Sequence, residues 1–218
     1  MAYQTSYPNV GCGDTGLDQV ILRRFDTDTT SCLSLSTGGA VSNKGNQLNA
    51  MSGTGDVVAF VSAATNLVSG DTNGTYDVFL RQISTNTTTR ITLPGGVQSN
   101  GDSQSPSLSA TGRYVSFSSS ATNLVADDDN GTRDVFRLDR QTGTIERVSV
   151  STAGVEGNGY SSSSTITPDG RFVAAEARRR LLGRLVDLHA RDLPGRERAG
   201  IRVTRRVGSQ RSKASCSR

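Results

Sequence analysis

Asp71-Thr72-Asn73-Gly74-Thr75-Tyr76-Asp77-Val78-Phe79 returns later in the chain as Asp128-Asp129-Asn130-Gly131-Thr132-Arg133-Asp134-Val135-Phe136. Upstream of each, Ala64-Thr65-Asn66-Leu67-Val68 returns as Ala121-Thr122-Asn123-Leu124-Val125. Gly55 and Gly112, Phe60 and Phe117, Asp77 and Asp134, and Arg90 and Arg147 are all 57 residues apart. A fixed period of this size marks supersecondary units that cannot bury their apolar faces alone and must stack on one another.

Each copy divides into four short segments of period-two alternation separated by turn residues. In the second copy, Ser105–Ser109 reads as a first strand whose Pro106 is tolerated near a strand start. Thr111-Gly112 supplies a tight turn, and Arg113–Ser118 follows as a second strand with Val115 and Phe117 inward, like Val58 and Phe60 before them. After a longer loop come a third strand, Asp134–Leu138, the turn Gln141–Thr144, and a fourth strand, Arg147–Val150. Four antiparallel strands per repeat with no helical period define an all-β chain and the blade of a β-propeller. The long loop between strands two and three absorbs the excess over the ~40–50 residues of common blades. A β-sandwich of duplicated Greek keys would house one duplication but not a third register of the same unit.

The third register is present but incomplete. Gln19–Arg23 and Asp28–Leu33 match strands three and four of a blade, and Thr165–Val173 opens another. Residues 1–173 are therefore expected to hold a partial blade (15–45), two full blades (46–100 and 101–157) and the start of a further one (158–173). That makes roughly three to three and a half blades, too few for an ordinary closed ring of about 4–8. Open strand edges follow, and with them an expectation of self-association.

Composition agrees with short strands and many turns: 33% hydrophobic residues and 24 glycines in 218 residues. The longest apolar run, Val57 to Val61, is far short of the ~20 residues that cross a bilayer as a helix. The N-terminus lacks the charged and apolar regions of a signal peptide, which fits a cytoplasmic protein or a chain whose true start lies upstream. The net charge of +4 is uneven: residues 1–170 hold 10 Lys+Arg against 16 Asp+Glu, residues 171–218 hold 14 against 4. Residues 174–218 read as a degenerate last blade or Arg-rich tail, in which Ala175 replaces the inward aromatic and Asp187–Leu193 still resembles strand three. Two other readings of the tail are a phosphate-binding arm, which lacks aromatics for base stacking, and a helix from Ala174 to Leu188 capping the open edge. Nucleic acid is not the expected partner. The spacing of Cys12, Cys32 and Cys216 matches no zinc pattern; Cys12 and Cys32 flank a predicted hairpin and either pair across it in an oxidising compartment or remain free thiols.

The units Leu108–Ser119, Ala121–Val125, Asp128–Phe136 and Arg147–Val150 resemble the TolB-type, WD-repeat-like propeller repeats of bacterial proteins, a likeness covering residues 15 to 173. The resemblance implies a secreted or periplasmic protein that acts as a binding platform, in some relatives beside a peptidase domain.

The best candidate site is the loop Asp71-x-Asn73-Gly74-x-x-Asp77, repeated as Asp128-x-Asn130-Gly131-x-x-Asp134. Oxygen side chains two residues apart around a glycine bend can surround Ca²⁺, and Asp127 adds a carboxylate to the second copy. The competing reading is an Asx-turn in which these residues cap backbone amides and the last aspartate pins strand three. No catalytic residues are expected: the single histidine, His189, takes a strand-three core position, and no Gly-x-Ser-x-Gly elbow or phosphate-cradling glycine loop occurs. The sequence thus points to a non-enzymatic scaffold for a protein or peptide partner, without a resident cofactor. Its alternatives are a calcium-binding extracellular module and the propeller part of a larger hydrolase.

Overall fold

The structure is a computed structural model in which residues 1–6 and 11–177 are described. β1 (Ala2–Thr5), β2 (Gln19–Arg24) and β3 (Thr29–Cys32) form a first sheet in that order. A second sheet runs β4 (Asn46–Met51), β5 (Val57–Ser62), β6 (Asp77–Gln82), β7 (Thr87–Arg90). The third runs β8 (Ser103–Leu108), β9 (Tyr114–Ser119), β10 (Asp134–Asp139), β11 (Thr144–Arg147), and β12 (Ser161–Ile166) pairs with β13 (Val173–Ala177). All these pairings are antiparallel, and the two four-stranded sheets share one register: Phe60 faces Phe79 across strands as Phe117 faces Phe136.

The sheets are blades stacked face to face. Val58, Phe60 and Phe79 on one face of the second sheet pack against Val20, Leu22 and Leu33 of the first sheet and its exit. Val57, Ala59, Val61 and Leu80 on its other face pack against Val115, Phe117, Phe136 and Leu138 of the third. The third in turn meets Ile166 and Val173 through Val135. All six residues of β5 are buried, so Val58 and Phe60 are not the only inward pair. A strand covered on both faces by neighbouring sheets loses its polar side, which is why Val57–Val61 is continuously apolar. The paired phenylalanine rings stand 5.6 and 5.7 Å apart, within the range of favourable offset stacking.

Backbone bonds tie each blade to the one before it. The amides of Asn46, Ser103 and Ser161, each at the start of a first strand, donate to the carbonyls of Asp18, Tyr76 and Arg133, just before the third strand of the preceding sheet (2.7–2.9 Å). A side-chain clasp repeats alongside. The Asn100 amide donates to Asn123 Oδ1 (3.0 Å), Asn100 Nδ2 to Thr122 Oγ1 (2.9 Å) and the Thr122 amide to Asn100 Oδ1 (2.9 Å). Asn43 makes the same three bonds to Asn66 and Thr65 (3.0, 3.0 and 3.1 Å). The recurring Ala-Thr-Asn-Leu-Val segment is thus the receiving half of a joint between the connector and the loop after the second strand.

Several expectations are corrected. The first sheet is not limited to strands three and four, because β1 adds a strand in the second position. Ala2–Thr5 is too short to show alternation. The fourth strand of the third sheet is Thr144–Arg147 rather than Arg147–Val150: Gly143, at φ +74°, completes the turn early, and Val150 keeps only an isolated bridge to Glu156. The first strand begins at Ser103, and Pro106 falls inside a bulge marked by Ser105 at φ +52°, where a missing N–H costs no ladder bond. Val173–Ala177 is strand, so no helix starts at Ala174. The rest of the tail, with Asp187–Leu193, His189 and Cys216, lies outside the described residues.

A Cβ on Gly101 would stand 2.6 Å from the backbone nitrogen of Ala121 and 2.7 Å from the carbonyl carbon of Ser120, atoms that cannot yield without opening the clasp. Gly101→Ala should lower stability in urea by about 1–3 kcal/mol. An unchanged unfolding midpoint would mean the joint bears no strain.

Candidate functional site

Asp77 and Asp134 are the first residues of β6 and β10, and both are fully buried. In each loop the asparagine makes the turn: Asn73 Oδ1 accepts the Thr75 amide (3.1 Å) and Asn130 Oδ1 the Thr132 amide (2.7 Å), as in an Asx-turn. Their amide nitrogens donate to Asp77 (3.2 Å) and Asp134 (2.7 Å), and also to the carbonyls of Ser99 (3.1 Å) and Gly157 (2.8 Å) in the following connector.

In the first copy a buried guanidinium lies between the carboxylates. Arg90 Nη1 is 3.1 Å from Asp71 Oδ1 and 3.8 Å from Asp77 Oδ2, all three side chains being almost fully buried. Gln98 completes the lock, donating to Asp71 (2.9 Å) and Asp77 (3.2 Å) while accepting from the Thr72 amide (3.1 Å). Asp71, Asn73 and Asp77 are therefore brought together, around an internal cation. Burial pushes the Asp77 carboxyl above its ordinary range, against the bond from Gln98.

The second copy differs at the residue that closes the lock. Glu156 takes the place of Gln98, so an acceptor replaces a donor. The carboxyl oxygens of Asp128, Asp134 and Glu156 converge within 4.8 Å, opposite the single guanidinium of Arg147. Arg147 pairs with Glu156 and lies 3.5 Å from Asp128. Burial first, and then the nearby Asp134 carboxylate, push the Asp128 carboxyl up to about 6; burial also raises Asp134. Asp127, by contrast, is exposed and presents its backbone carbonyl to Arg147 Nη2 (2.7 Å), so the added carboxylate comes from Glu156 instead.

A third version of the loop sits ahead of β2 and was hidden by its altered residues. Thr15 Oγ1 accepts the Leu17 amide (3.3 Å) as Asn73 accepts that of Thr75, and Gln19 stands where Asp77 and Asp134 stand. Cys32 faces Ile21 across strands as Arg90 faces Phe79 and Arg147 faces Phe136. Cys32 is bonded to Cys12. A disulfide thus takes the place of the carboxylate–guanidinium lock. The spacing Gly16-x-x-Gln19-Val20, parallel to Gly74-x-x-Asp77-Val78, was the available signal.

No family model matches the chain, and no curated protein is similar to it in sequence. Solved structures are similar. TolB of Agrobacterium tumefaciens superposes with a TM-score of 0.53 at 16% identity, covering 87% of this chain and 55% of that one. TolB of Acinetobacter baumannii (TM-score 0.41, 16% identity) covers 83% and 47%, and the β-propeller domain of the trilobed protease from Pyrococcus furiosus (0.36, 15%) covers 60% and 33%. The fold is a TolB-like β-propeller with an incomplete set of blades. The chain spans little more than half the length of the Agrobacterium structure.

Raised carboxyl pKa values mean that the native state binds more protons than the unfolded one between about pH 4 and 6, so stability falls as pH rises through that window. Asp77, Asp128 and Asp134 all act in this sense. The melting temperature should rise on going from about pH 7.5 to about pH 5. Asp128→Asn should raise it by about 2–4 °C at neutral pH and flatten the rise. A variant less stable than the parent at neutral pH would show that the Asp128 carboxylate is a net stabilising partner of Arg147.

Proposed function

We propose that the protein is a non-enzymatic β-propeller scaffold that binds a protein or peptide through the end of the blades carrying the long loops. Because consecutive antiparallel strands alternate in direction, the β5–β6 and β9–β10 loops and the β7–β8 and β11–β12 connectors all emerge at that one end. The observation that carries the reading is where apolar surface remains. Of the six exposed large hydrophobic residues among those described, Tyr76, Val97, Val155 and Tyr160 lie in these loops and connectors, and only Met1 and Phe25 lie elsewhere. Exposed tyrosines on a rigid frame suit peptide recognition at low entropic cost. The TolB-like fold supports the same reading, while the repeated polar residues are engaged in holding the frame. The Cys12–Cys32 bond supports a secreted or periplasmic location.

Peptides selected from a random displayed library against the protein should lose about tenfold or more in affinity on Tyr76→Ser or Tyr160→Ser and be unaffected by Phe25→Ser. Selected peptides indifferent to both tyrosines would remove the loop end as the binding face.

A second reading has its own support. The convergence of Asp128, Asp134 and Glu156 favours a divalent cation at the second loop, with Asn130 beside it, over the first loop of Asp71, Asn73 and Asp77. Calcium would have to displace Arg147 from those oxygens. Calorimetric titration of chelator-treated protein with Ca²⁺ should give heat that Glu156→Gln abolishes. No heat and no change in melting temperature would discard the cation.

A further inference from the structure

A cavity of about 600 Å³ lies between the outer part of the first sheet and the β6–β7 hairpin of the second, in the size range of small-molecule sites. The disulfide of Cys12 and Cys32 forms part of its wall, Leu35, Val41 and Ile83 give it apolar surface, and Arg81 lines it.

Arg81 has a counterpart one blade earlier. Arg23 Nη1 donates to the Asp28 carbonyl (2.7 Å) and Thr30 Oγ1 (3.1 Å), and Nη2 pairs with the Asp28 carboxylate. Arg81 Nη1 donates to the Asn86 carbonyl (2.7 Å) and Thr88 Oγ1 (3.1 Å), and Nη2 donates to Asn86 Oδ1 (3.2 Å); Nη1 also reaches the Ser36 carbonyl (3.3 Å). Asp28 and Asn86 even share the same left-handed backbone, φ 54°. The geometry is repeated, but the counter-charge is not. Arg81 is also the more buried of the two, at 4% exposure. Among the described residues no carboxylate forms an ion pair with it, and its Nε has no hydrogen-bond partner.

A buried guanidinium served only by neutral acceptors is costly unless an anion joins it. Arg24, exposed and also lining the cavity, adds positive potential at the opening. We propose that this cavity binds a small monocarboxylate with an apolar body. Its carboxylate lies against Arg81 and its body against Leu35, Val41 and Ile83. One uncompensated buried guanidinium matches one negative charge, and two of its nitrogens are already engaged in the turn, which favours a carboxylate over a phosphate dianion. The site is separate from the loop end proposed above for peptides.

Benzoate, benzamide and phenyl phosphate are the probes, each titrated calorimetrically into the full chain at constant ionic strength. Benzoate should bind saturably in the millimolar range or below, benzamide should not, and phenyl phosphate should bind more weakly than benzoate. Asn86→Asp supplies internally the charge that Asp28 supplies in the first blade, in a turn of the same backbone conformation. It should keep the fold, raise the melting temperature of the free protein and weaken benzoate binding by about tenfold or more. Tyr76→Ser should leave benzoate binding unchanged, which separates this site from the loop face. Absence of saturable benzoate binding, equal binding of benzamide, tighter binding of phenyl phosphate, or an Asn86→Asp variant that binds benzoate like the parent would each overturn the proposal.

Discussion

Neighbouring sheets cover each other's faces, and the rest of the molecule depends on that mutual covering. A four-stranded blade is too narrow to enclose a core of its own, so Phe60 and Phe79 are buried only because Val20, Leu22 and Leu33 stand opposite them. The same holds for Phe117 and Phe136, covered by Val57, Ala59 and Val61. A chain with 33% hydrophobic residues can fold this way because its central strands bury both faces while turns and loops remain polar. Removing either phenylalanine pair would expose two sheets at once, which couples the stability of adjacent blades.

Stacking alone leaves the angle between blades unspecified, and the repeated polar residues supply it. Asn43 and Asn100 hold each connector to the next loop, and the strand-initial amides of Asn46, Ser103 and Ser161 hold each first strand to the preceding blade. Beneath the long loops, three chemistries occupy equivalent places. They are the disulfide of Cys12 and Cys32, the Asp71–Arg90–Asp77 group closed by Gln98, and the pairing of Arg147 with Asp128 and Glu156. All three tie the loop before the third strand to the end of the fourth. The first is covalent and carries no titrating group, and the last contains a carboxyl that burial pushes up to about 6.

Much of the fold was legible because the repeat placed equivalent residues at a constant offset. The period gave the blades, the turn at Gly112 and the pairing of Phe60 with Phe117 positions. It did not reveal that both faces of a strand are buried, since alternation reports one covered face and here the intervening positions are covered too. β1 escaped notice because four residues carry no period. The loop at Thr15 escaped because Gln19 and Cys32 replace the aspartate and arginine that define it elsewhere. Of the site, Asp71, Asn73, Asp77, Asp128, Asn130 and Asp134 were found from spacing, whereas Arg90, Arg147, Gln98 and Glu156 lie in other segments and enter only through folding. Arg81 is marked by nothing in its own segment; only the shared turn geometry with Arg23 sets its missing counter-charge apart.

The stacked arrangement makes the blade-to-blade amides the most direct point of test. Native-state hydrogen exchange at Asn46, Ser103 and Ser161 reads bonds that exist only if each sheet docks on the one before it. Protection comparable to that of Val58 and Phe60 at the centre of β5, lost in the same cooperative step, is expected. Exchange of those three amides at open-loop rates, while β5 stays protected, would contradict the stacking.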